Sequence, residues 1–138
     1  MNLIFKVNAT IDVVFNYLTN MQKFAAIHPV ITKINSLGNN NYLVYETLKI
    51  GFIPISFTYP VNVVQNEIAK KVVIRATVMK VNKIEMIFNL TTKSQATIIE
   101  ESITFKTFFL LKPIMKSIFK KQHLQLFKNL DLAQGKTH

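Results

Sequence analysis

The clearest alternation of apolar and polar side chains lies in the stretch Lys83-Ile84-Glu85-Met86-Ile87-Phe88-Asn89-Leu90-Thr91. The even-numbered residues from 84 to 90 are all apolar, whereas Glu85, Asn89 and Thr91 share the opposite face. Because successive side chains of a strand point to opposite faces, this pattern predicts a β-strand with one buried and one solvated face. Strands of this kind are typical of antiparallel sheets.

The same period of two extends along most of the chain and predicts further strands on both sides of this one. The predicted strands are Asn2–Val7, Val30–Ser36, Tyr42–Ile50, Ile55–Val64, Lys71–Met79, Lys83–Thr91 and Thr97–Phe108. Turn-forming residues, such as Gly38-Asn39-Asn40-Asn41, separate most consecutive strands. Because short connections join antiparallel strands, we expect a seven-stranded antiparallel meander.

Two short helices are predicted between the first two strands, and one long helix after the last. Thr10 and Asn20 are candidate N-caps of the short helices, the second of which runs from Met21 to about Ala26. Pro113 suits the first turn of the terminal helix. The inward stripe of that helix contains Met115, Ile118, Phe119, Gln122, Leu126, Phe127 and Leu130. A helix of ~30 Å matches the length of the strands, so we expect the sheet to wrap around it.

Composition indicates an ordered chain with one domain over residues 1–138. Of the 138 residues, 49% are hydrophobic and 17% are charged, which excludes a disordered chain. The absence of cysteine excludes disulfides and thiolate metal sites, and the three histidines lack the spacing of metal ligands, so we expect no metal and no cofactor. The longest uncharged stretch, Ile50 to Asn66, is too short and too rich in proline for a membrane-spanning helix, so a cytoplasmic location is expected.

Two segments carry a resemblance to a known superfamily. They are Ala9-Thr10-Ile11-Asp12-Val13-Val14-Phe15-Asn16-Tyr17-Leu18 after the first strand, and Phe24 with His28-Pro29-Val30 before the second. Together with the order of the elements, they resemble the START-like superfamily, which includes the polyketide cyclase/dehydrase family. The resemblance implies an α+β helix-grip fold, in which a seven-stranded antiparallel sheet wraps around a long C-terminal helix, with two short helices after strand 1. It also implies a hydrophobic cavity between sheet and helix, and it transfers no catalytic residue.

Two carboxylates lie on strand faces that are otherwise apolar. Glu46 shares a face with Val44, and Glu101 shares one with Ile103. A carboxylate on such a face needs a partner, cavity water or a raised pKa, so Glu46 and Glu101 are the candidate catalytic groups. A one-residue register slip or a bulge would instead turn either side chain outward. An inward carboxylate could also simply pair with a lysine.

The other candidate ligand contacts come from the apolar strand faces and the helix stripe. The predicted ligand-binding residues are Glu46, Glu101, Gln122, Ile84, Met86, Phe88, Ile103, Phe105, Phe119 and Leu126. Glu46, Glu101 and Gln122 are expected to fix the orientation of the ligand. His123 is expected to be half-exposed at the edge of the stripe.

The predicted cavity mouth lies where apolar residues fall in turns at one end of the sheet. The mouth residues are Phe52, Ile53, Phe109 and Leu110, with His28 at the border. Clustered exposed apolar side chains mark a binding or membrane surface. The alternatives are that these turn residues pack as an end-plug of the core and that His28 is a surface or capping residue.

The 17 basic and 7 acidic residues give a net charge of +10. Transient contact with an anionic membrane surface, binding of nucleic acid and a merely solvated basic surface are the three interpretations of this charge. The single arginine, Arg75, and the absence of a recognition motif disfavour nucleic acid.

These features predict binding or transport of a hydrophobic small molecule, such as a lipid, an isoprenoid or an aromatic polyketide, without catalysis. One alternative is an enzyme of the cyclase/dehydratase type, in which a cavity glutamate acts as general acid or base. Another is a basic interaction protein that has no ligand cavity. The oligomeric state is left open.

Overall fold

A computed structural model describes residues 1–107 and 112–135 of the chain. The elements follow one another as β1 (Asn2–Val7), α1 (Ile11–Thr19), α2 (Met21–Ile27), β2 (Ile31–Gly38), β3 (Asn41–Ile50), β4 (Ile53–Asn66), β5 (Lys71–Val78), β6 (Asn82–Lys93), β7 (Ala96–Lys106) and α3 (Lys112–Gly135). The seven strands form one antiparallel sheet in the order β1-β7-β6-β5-β4-β3-β2. The predicted α+β fold class, with its seven-stranded sheet, two short helices and long terminal helix, is therefore confirmed.

The register of the sheet turns both predicted carboxylates inward. Glu46 is 9% exposed and Glu101 is 1% exposed. The register shifts between β2 and β3 fall within β2, whereas β3–β4 and β6–β7 pair without interruption. The alternative in which a slip or bulge sends either side chain outward is therefore wrong.

The β3–β4 turn is tighter than the sequence indicates. The strand β4 begins at Ile53 rather than Ile55, so that only Gly51 and Phe52 separate the two strands. Gly51 has a φ of +63°, a left-handed conformation that glycine adopts at no steric cost. The predicted end of β7 at Phe108 lies outside the described residues.

The two short helices are capped differently. The side chain of Asn20 accepts hydrogen bonds from the backbone N–H groups of Gln22 and Lys23 at the start of α2. Thr10 occupies the N-cap position of α1, but its side chain makes no cap hydrogen bond. Of the two predicted caps, only that of α2 therefore satisfies free N–H groups through its side chain.

The helix α3 packs tightly along its C-terminal half only. Leu126, Phe127 and Leu130 are buried there, and the ring of Phe127 lies 4.8 Å from that of Phe5 and 6.3 Å from that of Phe88. Towards the N-terminal end, the apolar side chains of α3 are only half-buried. The helix thus closes against β1, β6 and β7 and leaves space over the other half of the sheet. None of the helices described is long and apolar enough to cross a membrane.

Candidate functional site

A cavity of about 170 Å³ lies between the inner face of the sheet, α2 and the N-terminal half of α3. Side chains of β2 to β6 form its wall on the sheet side, including Ile34, Val44, Val61 and Ile74. Its polar lining residues are His28, Glu46, Tyr59, Gln122 and His123, and all other lining residues are apolar. A largely apolar pocket with a few polar groups is the usual form of a small-molecule site.

Glu46 and Tyr59 form a polar pair on the sheet side of the cavity. The antiparallel register places Glu46 opposite Phe57, so Tyr59, two residues further along β4, is its diagonal neighbour on the same face. The Tyr59 hydroxyl is hydrogen-bonded to the Glu46 carboxylate. Burial raises the pKa of Glu46, although this bond and the nearby His123 act in the opposite direction. Burial and the neighbouring Glu46 raise the pKa of Tyr59 well above its usual value.

Glu101 and His123 form a second, fully buried pair behind the α3 side of the cavity. His123 Nδ1 lies 2.7 Å from Glu101 Oε1, and the two side chains are 3% and 0% exposed. The other carboxylate oxygen, Oε2, is the one buried side-chain oxygen or nitrogen without a hydrogen-bond partner within residues 1–107 and 112–135. The His123 ring also packs against Phe119, with ring centres 5.4 Å apart. Glu101 therefore pairs with a histidine, not with a lysine.

The burial of His123 corrects the expectation that it is half-exposed. The residue is 2% exposed and lines the cavity. Adjacent positions on a helix are separated by about 100°, so an inward stripe three to four residues wide can include both Gln122 and His123. The carboxylate of Glu101 on β7 provides the partner that makes burial of this imidazole tolerable.

His28 follows α2 and lines the cavity. Its Nδ1 accepts hydrogen bonds from the backbone N–H groups of Val30 and Ile31, at 3.3 and 3.2 Å. Burial, and secondarily the charge of His123, lower the pKa of His28 to about 3. The ring is therefore neutral at pH 7, and because Nδ1 accepts, its proton lies on Nε2. His28 is thus both a capping residue and part of the cavity wall.

Residues 4–129 match the CoxG family, which is named for a component of carbon monoxide dehydrogenase. The chain belongs to the CoxG family. A comparison with curated protein sequences finds no match to this CoxG-family chain.

Solved structures share the fold of this CoxG-family chain at low sequence identity. A START superfamily protein from Mycobacterium smegmatis matches with a TM-score of 0.80 and 12% identity, over 100% of this chain and 98% of that one. A conserved protein from Geobacillus kaustophilus matches with a TM-score of 0.81 and 12% identity, over 99% and 95%. The Zhui aromatase/cyclase from a Streptomyces species matches with a TM-score of 0.70 and 10% identity, over 100% and 94%. The START-like fold that the sequence resemblance implied is therefore shown.

The structure divides the predicted ligand-binding residues into two groups. Those on the cavity wall are Glu46, Ile84, Met86, Phe119 and Gln122. Those that lie in the core away from the cavity lining are Phe88, Ile103, Phe105, Leu126 and Glu101. The second group is covered by large side chains of α3, as where the rings of Phe105 and Phe119 meet at 5.3 Å. The cavity thus lies over β3 to β5, closer to β2 than the sequence indicated.

One end of the cavity is bordered by exposed apolar residues, which we call the rim. The rim consists of Phe52, Ile53, Met79, Val81 and Ile114, all more than half exposed. They come from the β3–β4 turn, the β5–β6 turn and the start of α3, which the antiparallel order brings to the same end of the sheet. Phe109 and Leu110, also predicted at the mouth, lie outside the described residues. The alternative in which Phe52 and Ile53 plug the core does not agree with their exposure.

Sequence reasoning missed Tyr59 and His123 as cavity residues. The signal for Tyr59 was present, because it alternates with Phe57, Val61 and Val63 on one face of β4. No comparable signal existed for His123, since a position at the edge of a helix stripe can face either way. Among the residues described, no three side chains of histidine, aspartate or glutamate are grouped as a metal site would require.

Proposed function

We propose that this CoxG-family protein binds an apolar small molecule in the cavity between the sheet and α3. The observation that supports this most strongly is a largely apolar volume of about 170 Å³ inside an otherwise packed core. At ~24 cal/mol per Å³, leaving such a volume empty costs roughly 4 kcal/mol of stability. A guest that fills it recovers van der Waals contacts that the protein alone lacks. The volume argues against an interaction protein with no ligand cavity.

The guest is expected to gain affinity from burial and orientation from the polar wall residues. Each Å² of apolar surface removed from water contributes about 25 cal/mol, before the costs of association are subtracted. Leu48, Val78 and Met115 are partly exposed lining residues near the rim, so a longer guest extends from the cavity in that direction. A lipid, an isoprenoid or an aromatic polyketide fits this description.

Organic extraction of the purified protein followed by mass spectrometry tests the proposal. An apolar passenger is expected, and a panel of apolar compounds should raise the melting temperature of the extracted protein. Ala76→Leu places extra volume on the cavity wall and should abolish this ligand-induced rise. Ala133→Leu, the same change in a partly buried residue near the end of α3, should leave it intact. Repeatedly empty preparations, with no stabilisation by any compound, would contradict the proposal.

We further propose that the rim contacts an anionic membrane surface while the ligand enters or leaves. Exposed Phe52 and Ile53 provide apolar side chains for insertion, and Lys49 and Lys80 lie beside them in the chain. Each basic residue near an anionic surface contributes about 1 kcal/mol. The protein should therefore sediment with vesicles that contain phosphatidylserine, and Phe52→Ser with Ile53→Ser should reduce this binding.

A matched control exists at the opposite end of the sheet. Ile68 lies in the β4–β5 turn and is 99% exposed, so Ile68→Ser removes an equally exposed apolar side chain away from the rim. This variant should bind vesicles like the parent protein. Equal binding by the rim variants and the control would exclude a docking role for the rim.

The pairing of Glu46 with Tyr59 favours one second candidate, an enzyme of the cyclase/dehydratase type. A carboxyl group with a raised pKa inside an apolar cavity can act as general acid or base on an enolisable substrate. Glu46→Gln should then abolish turnover of the extracted passenger or its precursor while binding persists. Unchanged turnover in this variant would exclude Glu46 as the catalytic residue.

A further inference from the structure

The hydrogen bonds that the cavity residues already make determine which polar groups remain for a guest. At His28, Nδ1 is occupied by two backbone N–H groups, so the remaining polar atom is the Nε2–H donor. At His123, Nδ1 is occupied by the Glu101 carboxylate, which only accepts, so in the neutral ring Nε2 is a lone-pair acceptor. Within the described residues, neither Nε2 is hydrogen-bonded to another side chain, and neither is a sealed, unsatisfied atom. The cavity thus offers one imidazole donor and one imidazole acceptor.

These two imidazoles belong to the same polar region of the cavity. Both residues line it, and the charge of His123 acts on His28 as well as on Glu46. A hydroxyl group can accept one hydrogen bond and donate another, whereas a carbonyl or an ether oxygen can only accept. A buried donor or acceptor left without a partner costs about 1–3 kcal/mol. A hydroxyl is therefore the simplest group that satisfies both imidazoles at once.

The charges around the cavity disfavour an anionic guest. Among the described residues, no lysine or arginine is part of its lining, whereas Glu46 lies on the wall and Glu101 lies directly behind His123. A fatty-acid carboxylate or a phosphate would enter next to these carboxylates without a fixed cation to compensate it. Like charges in a buried site are strongly unfavourable.

The size of the cavity limits the guest's buried end. Its volume of about 170 Å³ is similar to that of an engineered apolar cavity of about 150 Å³ that binds benzene. One ring, with a second ring or a chain towards the rim, fits such a space.

Building on the proposed binding function, we propose that the cavity selects an uncharged apolar compound with a ring-sized inner end that carries a hydroxyl group. The hydroxyl accepts a hydrogen bond from His28 Nε2–H and donates one to His123 Nε2, and the ring packs against the apolar wall. The Glu46 carboxylate excludes anions from the same position.

Three naphthalene compounds of nearly equal size test this selection at pH 7. They are 2-naphthol, which is a neutral donor and acceptor, 2-methoxynaphthalene, which only accepts, and 2-naphthoate, which is an anion. Titration calorimetry on the extracted protein should show that 2-naphthol binds at least tenfold more tightly than either of the others.

Two variants of His28 separate its roles. Asn in His28→Asn can still accept from the backbone at the Nδ1 position but lacks the Nε2–H donor, so the preference for 2-naphthol over the ether should disappear. Gln in His28→Gln carries an amide donor near the Nε2 position, so part of the preference should remain. Glu46→Gln should narrow the gap between 2-naphthol and 2-naphthoate, because it removes the opposing charge.

The outcomes distinguish this inference from the binding function on which it rests. Equal affinity for 2-naphthol and either of the other compounds, or an unchanged preference in His28→Asn, overturns the hydroxyl inference and leaves apolar binding in place. The same holds if extraction yields a passenger but none of the three compounds binds. If there is no passenger and no compound of any kind binds, the proposed function itself fails. A tenfold preference that His28→Asn removes supports both.

Discussion

Glu101 and His123 bury two ionisable groups that tolerate burial only as a pair. Loss of the imidazole would leave both oxygens of a carboxylate that is 1% exposed without a partner. Breaking a buried pair by removing one member typically costs about 3–5 kcal/mol, whereas replacing both members by apolar residues is often close to neutral. We therefore expect His123→Leu to destabilise the protein strongly, and the double variant with Glu101→Leu to recover most of the loss.

Urea denaturation of the parent protein, both single variants and the double variant checks this expectation. The double-mutant cycle isolates the pairwise contribution from the effect of each substitution alone. Additive effects of the two substitutions would show that the contact between Nδ1 and Oε1 does not stabilise the folded state.

Glu46 should make stability depend on pH in the opposite direction from an exposed glutamate. Because burial raises its pKa, the folded state holds this proton more tightly than the unfolded state. The associated stability is fully present below the unfolded pKa of about 4.3 and is lost as the pH rises through the folded pKa. Glu46→Gln keeps an acceptor for Tyr59 but has no charge to bury, so it should be more stable than the parent protein at pH 7.

This advantage of Glu46→Gln should shrink as the pH is lowered towards 4. The urea midpoints of both proteins, measured from pH 4 to pH 8, give the difference, in which the titration of all other carboxylates largely cancels. A difference that is constant over this range would contradict a raised pKa at Glu46.

Single residues also show how far sequence reasoning reached. The inward direction of Glu46 and Glu101 followed from alternation, because a period of two leaves only two faces. Their partners did not follow, since Tyr59 and His123 approach from other elements and contact depends on strand register and on the rotation of α3. His28 could be placed only once α2 was packed against the sheet.

At the level of elements, the start of α2 should depend on its cap more than the start of α1 does. The Asn20 side chain accepts from two N–H groups, whereas Thr10 makes no side-chain cap bond. Loss of an N-cap side chain costs about 1 kcal/mol on average. Asn20→Ala should therefore lower the free energy of unfolding by about that amount, and Thr10→Ala by clearly less. Chemical denaturation of the two variants compares them directly, and equal losses would show that the cap bonds of α2 add no stability.

The elements themselves could be predicted because their periodicity is strong and their turns are marked. The strands lie within a few residues of the predicted bounds, and α3 begins and ends within about two residues of them. Which half of the sheet α3 covers could not be predicted, because the same stripe of apolar residues can pack over either half. Since Phe127 and Leu130 fill the space over β1, β6 and β7, the cavity is displaced towards β3 to β5.

For the molecule as a whole, the net charge of +10 should oppose folding by self-repulsion. Within the described parts of the chain, the ion pairs that lie near the surface are Lys70 with Asp12 at 3.0 Å and Arg75 with Glu85 at 2.8 Å. Exposed pairs of this kind contribute little, and seven acidic residues cannot compensate 17 basic ones. Folding brings these positive charges closer together than they are in the expanded unfolded chain.

Salt should therefore stabilise the folded protein. The Debye length falls from about 30 Å at 0.01 M to about 8 Å at 0.15 M ionic strength, which screens most of the repulsion between exposed lysines. We expect the melting temperature to rise by about 4 °C over this range of NaCl, as follows from a gain of about 1 kcal/mol in a domain of this size. Sucrose at equal osmolarity serves as the control, because it strengthens burial without screening charge. A melting temperature that is unchanged or lower at 0.15 M NaCl would show that the basic residues are spaced widely enough for their repulsion not to oppose folding.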